Sequence, residues 1–337
     1  MRKFLIAIAL LLGVYFVIGQ LAEVEAILET LKKGDWRFLF IALCIEFVWF
    51  VNIAASYKTI FTALGLEEKI PKLVLLSTAA FFINVVAPSA GVGGVAIFIS
   101  EAKKRGNSPG KVTVAGVLYL LFDYLGFLCL LTLGLLVLFR RNNLGIAEIT
   151  ATVILLAIAL GMIFFMYLGM RSAVKLGNAL AGMARITNRI LKPVIRREYL
   201  SEKRAHEFAM EAGEALHELH QKPKTLLLPA FLGLSNKLLL LSIFTLMFLA
   251  FKIPFSPGTL IAGFTIGYLF LIVSPTPAGI GVVEGVLALT LNSLYVPLSA
   301  AAILTLAYRG ITFWVPLLFG FIAFRILTHG DEIKSIA

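Results

Sequence analysis

The sequence predicts an all-α fold: a polytopic bundle of transmembrane helices, with about six spanning helices plus two re-entrant hairpins in an inverted repeat. Three observations predict it. Of 337 residues, 60% are hydrophobic and only 15% charged, where a soluble domain is about 45–50% apolar and about 25% charged. Mean hydropathy is +0.95. The charges are clustered, and the apolar stretches between clusters reach the about 20 residues that a helix needs to cross hydrocarbon. The short alternating segments of a membrane β-barrel are not seen.

The elements follow in order. Met1-Arg2-Lys3 precedes an apolar run from Phe4 to Ile18, which ends in Gly19-Gln20-Leu21 with no small-x-small cleavage site. This segment, 4–20, is expected to be an uncleaved first membrane helix rather than a signal peptide. Further apolar segments fall at 37–56, 71–100, 112–139, 150–170, 225–251, 258–292 and 298–326. Two of them are broken near the middle. Pro88-Ser89-Ala90-Gly91-Val92-Gly93-Gly94 interrupts 71–100, and Ser274-Pro275-Thr276-Pro277-Ala278-Gly279-Ile280-Gly281 interrupts 258–292. Proline removes a helix hydrogen bond and glycine lowers the cost of turning the chain. Irregular backbone at membrane depth survives only where protein or a polar cavity satisfies it. Both segments therefore read as re-entrant hairpins of two half-helices, each about 14 residues or about 21 Å long.

Charge sets the expected orientation. With Arg2 and Lys3 in the cytoplasm, the loop with Lys58, Lys69 and Lys72 returns there, as does Lys103-Lys104-Arg105 after the first hairpin. The polar stretch 171–224 carries 11 Lys and Arg, as cytoplasmic loops do. The N- and C-termini are both expected on the cytoplasmic side of a cell (inner or plasma) membrane, and Arg140-Arg141 is the exception that falls on the outer side. The first hairpin then opens from the cytoplasm and the second from the opposite face. One transmembrane domain, 1–337, is expected, with a cytoplasmic amphipathic helical insert at about 171–224 whose apolar face is Leu200, Phe208, Ala212, Ala215, Leu216 and Leu219.

An internal repeat supports the hairpins. Ala90-Gly91-Val92-Gly93 matches Ala278-Gly279-Ile280-Gly281, and Pro109 and Pro297 each lie 18 residues after the matching glycine. A helix rich in small residues follows each, carrying Asp123 in one copy and Arg309 in the other. Paired interruptions at corresponding positions point to a transport site at the membrane midplane.

The net charge of +11 would suggest nucleic acid in a soluble protein. Beside membrane segments, anionic lipid headgroups explain it, and no nucleic-acid partner is expected. Cys44 and Cys129 lie within apolar segments and form no disulfide framework.

Ionisable residues in membrane segments are costly and default to functional candidates. They are Glu46, Asp123, Lys237, Glu284 and Arg309, and each also has a structural reading as an ion pair between helices. Arg309 is the best candidate for an anionic headgroup, because guanidinium stays charged and forks onto phosphate. Lys237 is a second cation. Asp123 would orient Arg309 or receive a cationic headgroup, with Tyr119 one turn before it. Gly91, Gly93 and Gly94, with Gly279 and Gly281, would start half-helices whose free N–H groups bind anions. Glu284 would cap such a start or touch a proton or headgroup. Asn84, Asn236, Ser274 and Thr276 would line the same cavity, or bridge helices. His206, His217 and His220 share a face of the insert and Glu214 precedes His217 at metal-site spacing, but no second copy appears and the face reads as solvated. No P-loop, HExxH, GxSxG or Rossmann fingerprint is present, and no cofactor, metal or catalytic residue is expected.

The stretches FFINVVAPSAGVGGVAIFISEAKKRGNSPGKVTVAGVLYLLFDYLGF (81–127) and VSPTPAGIGVVEGVLALTLNSLYVPLSAAAILTLAYRGITFWVPLLFG (273–320) resemble the two hallmark regions of the lysylphosphatidylglycerol synthase transmembrane-region family. This is a flippase-like family of bacterial and archaeal membrane proteins. Pro277, Gly279, Gly281, Glu284, Tyr308 and Arg309 carry the pattern. The resemblance implies a lipid-translocating membrane domain. With the chain ending at Ala337, it also implies that no aminoacyltransferase domain is attached and that the chain is not itself a lysyltransferase. Many members have an Arg soon after the first glycine pair, where this chain has Val95-Ala96-Ile97-Phe98. Many have Glu-Arg-x-x-Asp, where this chain has Tyr119-Leu120-x-x-Asp123. A different substrate would follow.

The favoured function is translocation of a phospholipid, aminoacyl-phospholipid or polyprenyl-phosphate lipid, the partner being a membrane lipid with an anionic or aminoacylated headgroup. Alternatives are the membrane component of a phosphatidylglycerol lysyltransferase or glycosyl-lipid synthase, with a soluble transferase partner, and an ion-coupled solute transporter. No oligomeric state is predicted.

Overall fold

The computed structural model describes residues 24–86, 92–195 and 201–336, and among these no strand occurs. The expected first membrane helix, Gly91 with the start of the first break, and Leu200 lie outside the described residues. In chain order the helices are α1 (24–32), α2 (Trp36–Ala63), α3 (Ile70–Val86), α4 (Val92–Lys104), α5 (Pro109–Arg140), α6 (Ile146–Arg171), α7 (Ala173–Ile195) and α8 (Glu202–His220). Then come α9 (Leu227–Ala250), α10 (Pro257–Val273), α11 (Val282–Ser293), α12 (Leu298–Arg309), a π-helical turn (Gly310–Trp314) and α13 (Val315–Ile336).

Helix starts follow the local chemistry. Asp35, Ser108 and Ser256 each accept a hydrogen bond from a first-turn amide, Arg37 N at 3.0 Å, Lys111 N at 3.3 Å and Thr259 N at 3.1 Å. Pro109 and Pro257 sit at the first helical position, where no N–H is needed.

Five helices are long and apolar enough to cross a membrane: Trp36–Ala63, Pro109–Arg140, Ile146–Arg171, Pro223–Ala250 and the continuous run Leu298–His329. They match the five expected spans that fall on described residues. The outer surface agrees with a hydrocarbon neighbour. Along α6, Val153, Leu160 and Phe164 are exposed, and along α13, Leu318, Phe321 and Ile322. Apolar exposure on that scale marks a face that water does not cover.

The interior is organised around α9. It runs antiparallel to α2, with Asp35 N on Ala250 O at 2.9 Å at one end and Asn52 Nδ2 on Leu232 O at 3.0 Å toward the other. It crosses α5 where two glycines meet: a Cβ on Gly233 would lie 2.5 Å from Phe122 O, and one on Gly126 would lie 2.7 Å from Gly233 O. Small residues at such a crossing let backbones touch, which is how helices pack in lipid.

The two interrupted segments become two pairs of short helices. The lengths repeat: α3, α4 and α5 have 17, 13 and 32 residues, and α10, α11 and the run Leu298–His329 have 17, 12 and 32. Within each pair the short helices pack on one another, and α3 also touches the break at Pro277–Gly279.

The insert is a helical hairpin, α7 on α8, and α8 packs on α5 and α6. Ala212, Ala215, Leu216 and Leu219 are buried as expected, and Phe208 is half-buried. Glu211 Oε2 accepts from Gly110 N at 2.7 Å and from Ser108 Oγ at 2.6 Å, tying α8 to the start of α5. The histidines have local roles: His206 Nε2 meets Asn178 Oδ1 at 3.1 Å across the hairpin, and His217 meets Gln221 at 3.2 Å. Arg141, half of the exception to the charge rule, is engaged as well, donating to Ser256 Oγ at 3.2 Å and Thr259 Oγ1 at 3.5 Å at the start of α10.

Candidate functional site

A cavity of about 210 Å3 lies where the two short-helix pairs meet. Ser77, Phe81 and Asn84 of α3 and Gly94 of α4 face it from one pair, and Tyr268 of α10 and Val283 of α11 from the other. Trp49, Tyr57, Tyr119, Asp123, Tyr308, Arg309 and Thr312 also line it. Of the expected site residues, Asn84, Gly94, Tyr119, Asp123 and Arg309 converge here from segments up to 225 residues apart. Gly91 lies outside the described residues, and Gly93 occupies the first turn of α4.

The buried charges pair differently from expectation. Asp123 does not orient Arg309. The Gly126–Gly233 crossing brings Asp123 on α5 to Lys237 on α9, whose Nζ lies 2.6 Å from Oδ1 and 2.7 Å from Oδ2. The same Nζ is 2.5 Å from Tyr268 Oη, and it sits 4.2 Å from the centroid of that ring. Asn236 Nδ2 donates to Asp123 Oδ1 at 3.0 Å, and Asn52 Nδ2 donates to Asn236 Oδ1 at 3.2 Å. Asp123 is 6% exposed and Lys237 1%. Charges so far from water persist only when paired and hydrogen-bonded, and here both are.

Arg309 pairs instead with Glu284 of its own unit, Nε to Oε1 at 2.5 Å. Its Nη2 donates to Ala278 O at 3.1 Å, so the guanidinium clamps the second break. Phe313 lies under it, 4.3 Å from ring centroid to Cζ. Arg309 lines the cavity, and its Nη1 makes no hydrogen bond among the described residues.

The glycine breaks are shaped as their composition requires. Ala278, Gly279 and Gly281 all have positive φ, at 49°, 72° and 80°. That region is costly for side chains and free for glycine. Two of the half-helix amides named in the sequence, those of Gly281 and Gly94, are not free, however. Glu284 Oε2 accepts from Gly281 N at 2.7 Å, so Glu284 caps α11 while its other oxygen holds Arg309. Asn84 Oδ1 likewise accepts from Gly94 N at 2.7 Å. Any anion binding there would have to displace the protein's own side chains. Ser274 and Thr276 are not in the cavity wall: their hydroxyls meet at 2.8 Å and brace the turn. Asn236 supports Asp123 from behind the wall.

Sequence reasoning missed Tyr268, Asn52 and an aromatic stack. Tyr57 is sandwiched between Phe98 at 4.3 Å and Tyr119 at 4.5 Å. Tyrosines and asparagines are unremarkable in membrane helices, and only the tertiary contacts single these out. Gly233 beside Asn236-Lys237 was a usable signal: a small residue one turn from a buried charge marks a close crossing.

The comparisons agree with a membrane protein. The chain is 26% identical over 333 residues to the UPF0104 membrane protein PH1989 of Pyrococcus horikoshii, covering 95% of this chain and 96% of that one. No solved structure matches it. The family model described as the lysylphosphatidylglycerol synthase TM region matches residues 4–320. The chain is a membrane protein belonging to the lysylphosphatidylglycerol synthase transmembrane-region family.

Proposed function

We propose that this protein moves a lipid with a charged headgroup across the bilayer of the cell membrane. The observation that carries the reading is the cavity walled by both short-helix pairs and lined by Arg309 and Asp123. At about 210 Å3 it suits a headgroup and is far too small for a two-chain lipid. The acyl chains would stay in the surrounding hydrocarbon. Buried arginine and aspartate beside aromatic walls suit a phosphate that carries or lacks a cationic group. Phospholipid, aminoacyl-phospholipid and polyprenyl-phosphate all fall in this class.

In this reading α3–α4 and α10–α11 are re-entrant hairpins, the first opening to the cytoplasm and the second to the other face. Their matching lengths are what an inverted repeat would give. Rocking one unit against the other would expose the cavity alternately. The insert α7–α8 and both termini would be cytoplasmic.

The test is lipid movement in proteoliposomes with a panel of fluorescent anionic, zwitterionic and aminoacylated phospholipids and a polyprenyl phosphate. Movement of at least one class, with a rate lowered at least tenfold by Arg309→Ala, is expected. No movement across the whole panel would sink the reading, as would an unchanged rate in Arg309→Ala.

A further inference from the structure

Of the five charged candidates singled out within the apolar segments, four form the pairs Asp123–Lys237 and Glu284–Arg309. Glu46 on α2 is left over. It is 0% exposed, and neither carboxyl oxygen has a hydrogen-bond partner. Two more buried polar atoms share that state, Trp49 Nε1 one turn further along α2 and Thr305 Oγ1 on α12. Together these are all the buried side-chain polar atoms without a partner among the described residues. Each such atom in a native fold asks for an explanation.

The surroundings define what Glu46 can be. On the helices packed against α2, Asp123 and Lys237 satisfy each other, and Lys72 at the start of α3 is taken by Glu101. On α12, Arg309 is taken by Glu284. Tyr308 of α12 is a titratable group within electrostatic reach of Glu46. With no cation assigned to it, a carboxylate there would be an unpaired buried charge, so Glu46 is the neutral acid in this conformation. Trp49 and Tyr308 both line the cavity, so the acid sits one helical turn from its wall. The π-helical turn Gly310–Trp314 follows directly after Tyr308 and Arg309, and such turns recur at functional sites.

We propose that Glu46 is a proton-exchange site coupled to the cavity, which makes lipid movement proton-linked; this rests on the translocase reading above. In the conformation seen, the carboxyl O–H is intact. When the cavity opens to water, the proton passes from Glu46 to water on that side, leaving the carboxylate. It is replaced by a proton from water on the other side when the opposite conformation forms.

The test uses wild type and Glu46→Gln in proteoliposomes with the fluorescent lipid panel, with and without a one-unit pH gradient. If one proton moves per lipid, the gradient shifts the steady-state lipid distribution of the wild type by up to about tenfold. Glu46→Gln, a fixed mimic of the neutral acid, moves lipid with no such shift. A wild-type distribution that ignores the pH gradient overturns the proposal and leaves the translocase reading standing. So does an equal shift in Glu46→Gln, or a shift driven only by sodium. Infrared spectroscopy of the purified protein in lipid gives a readout free of transport. A protonated-carboxyl band at neutral pH that disappears in Glu46→Gln is expected. A band that is absent, or unchanged by the substitution, overturns the proposal even if no lipid moves at all.

Discussion

The first short-helix pair with α5 and the second with the run Leu298–His329 are built to nearly the same lengths but held in opposite ways. In the second unit the charge closes on itself: Arg309 grips Glu284 and the Ala278 carbonyl, all within 32 residues of chain. In the first unit, Asp123 reaches out to Lys237 on α9 and through it to Tyr268 of the second unit. One pair braces a single unit. The other fastens the two units together. A device that rocks would release the second kind and keep the first, so the Asp123–Lys237–Tyr268 link is the expected latch.

The largest effect should come from the backbone crossing that makes this latch. Gly233→Val would push a side chain into the Phe122 carbonyl and cost at least the ~1–3 kcal/mol of overpacking, plus separation of the ion pair. A marked drop in thermal stability of the purified protein checks it; a melting temperature within a degree of wild type would show that the helices do not touch there.

Breaking the latch chemically comes next. Lys237→Met strands a buried Asp123 and should cost ~3–5 kcal/mol. Adding Asp123→Asn should recover much of that loss in the same melting experiment. Additive losses would mean the two residues do not interact.

The self-braced unit should respond more locally. Arg309→Lys keeps the charge and loses the fork, costing ~1–3 kcal/mol for a charged hydrogen bond. Hydrogen exchange should rise at the amides of 274–281 and stay level at α3–α4. A uniform rise would remove the distinction drawn between the units.

The smallest effect is at the end of α4. Burial alone would raise the Glu101 carboxyl, but Lys72 at 2.7 Å, with Lys104, outweighs it and holds the group below its usual value. A lowered folded value means the contribution is present above the unfolded carboxylate range, about 4.3. It is lost as pH falls through the lowered value. The acid limb of a stability–pH profile should therefore flatten in Lys72→Met, by well under ~1 kcal/mol for a partly exposed pair. An unchanged limb would assign the acid response to other groups.

Much of this was legible in the chain because hydrophobic length and proline–glycine breaks act locally. The break at 274–281 needs positive φ wherever it sits, so its glycines announce it. Glu284 three residues after Gly281 likewise announces a cap, and the cap is there. Pairing was not legible. Asp123 and Arg309 each lie on the helix after the matching proline, 14 and 12 residues on, which invited pairing them, yet spacing along the chain says nothing about which helix lies opposite.

The sequence by itself determined that this is a helical membrane bundle with two interrupted segments. Burying about 20 apolar residues at a time, and turning a chain at glycine and proline, are properties of contiguous residues. Only the tertiary structure decided which charges neutralise each other and which one is left. Gly126 meeting Gly233 sets the distance from Asp123 to Lys237, the curl of the second break sets Glu284 on Arg309, and what remains is Glu46, buried and unpaired. In a low-dielectric interior, that assignment rests on distances of a few ångströms between helices, which no one-dimensional pattern carries.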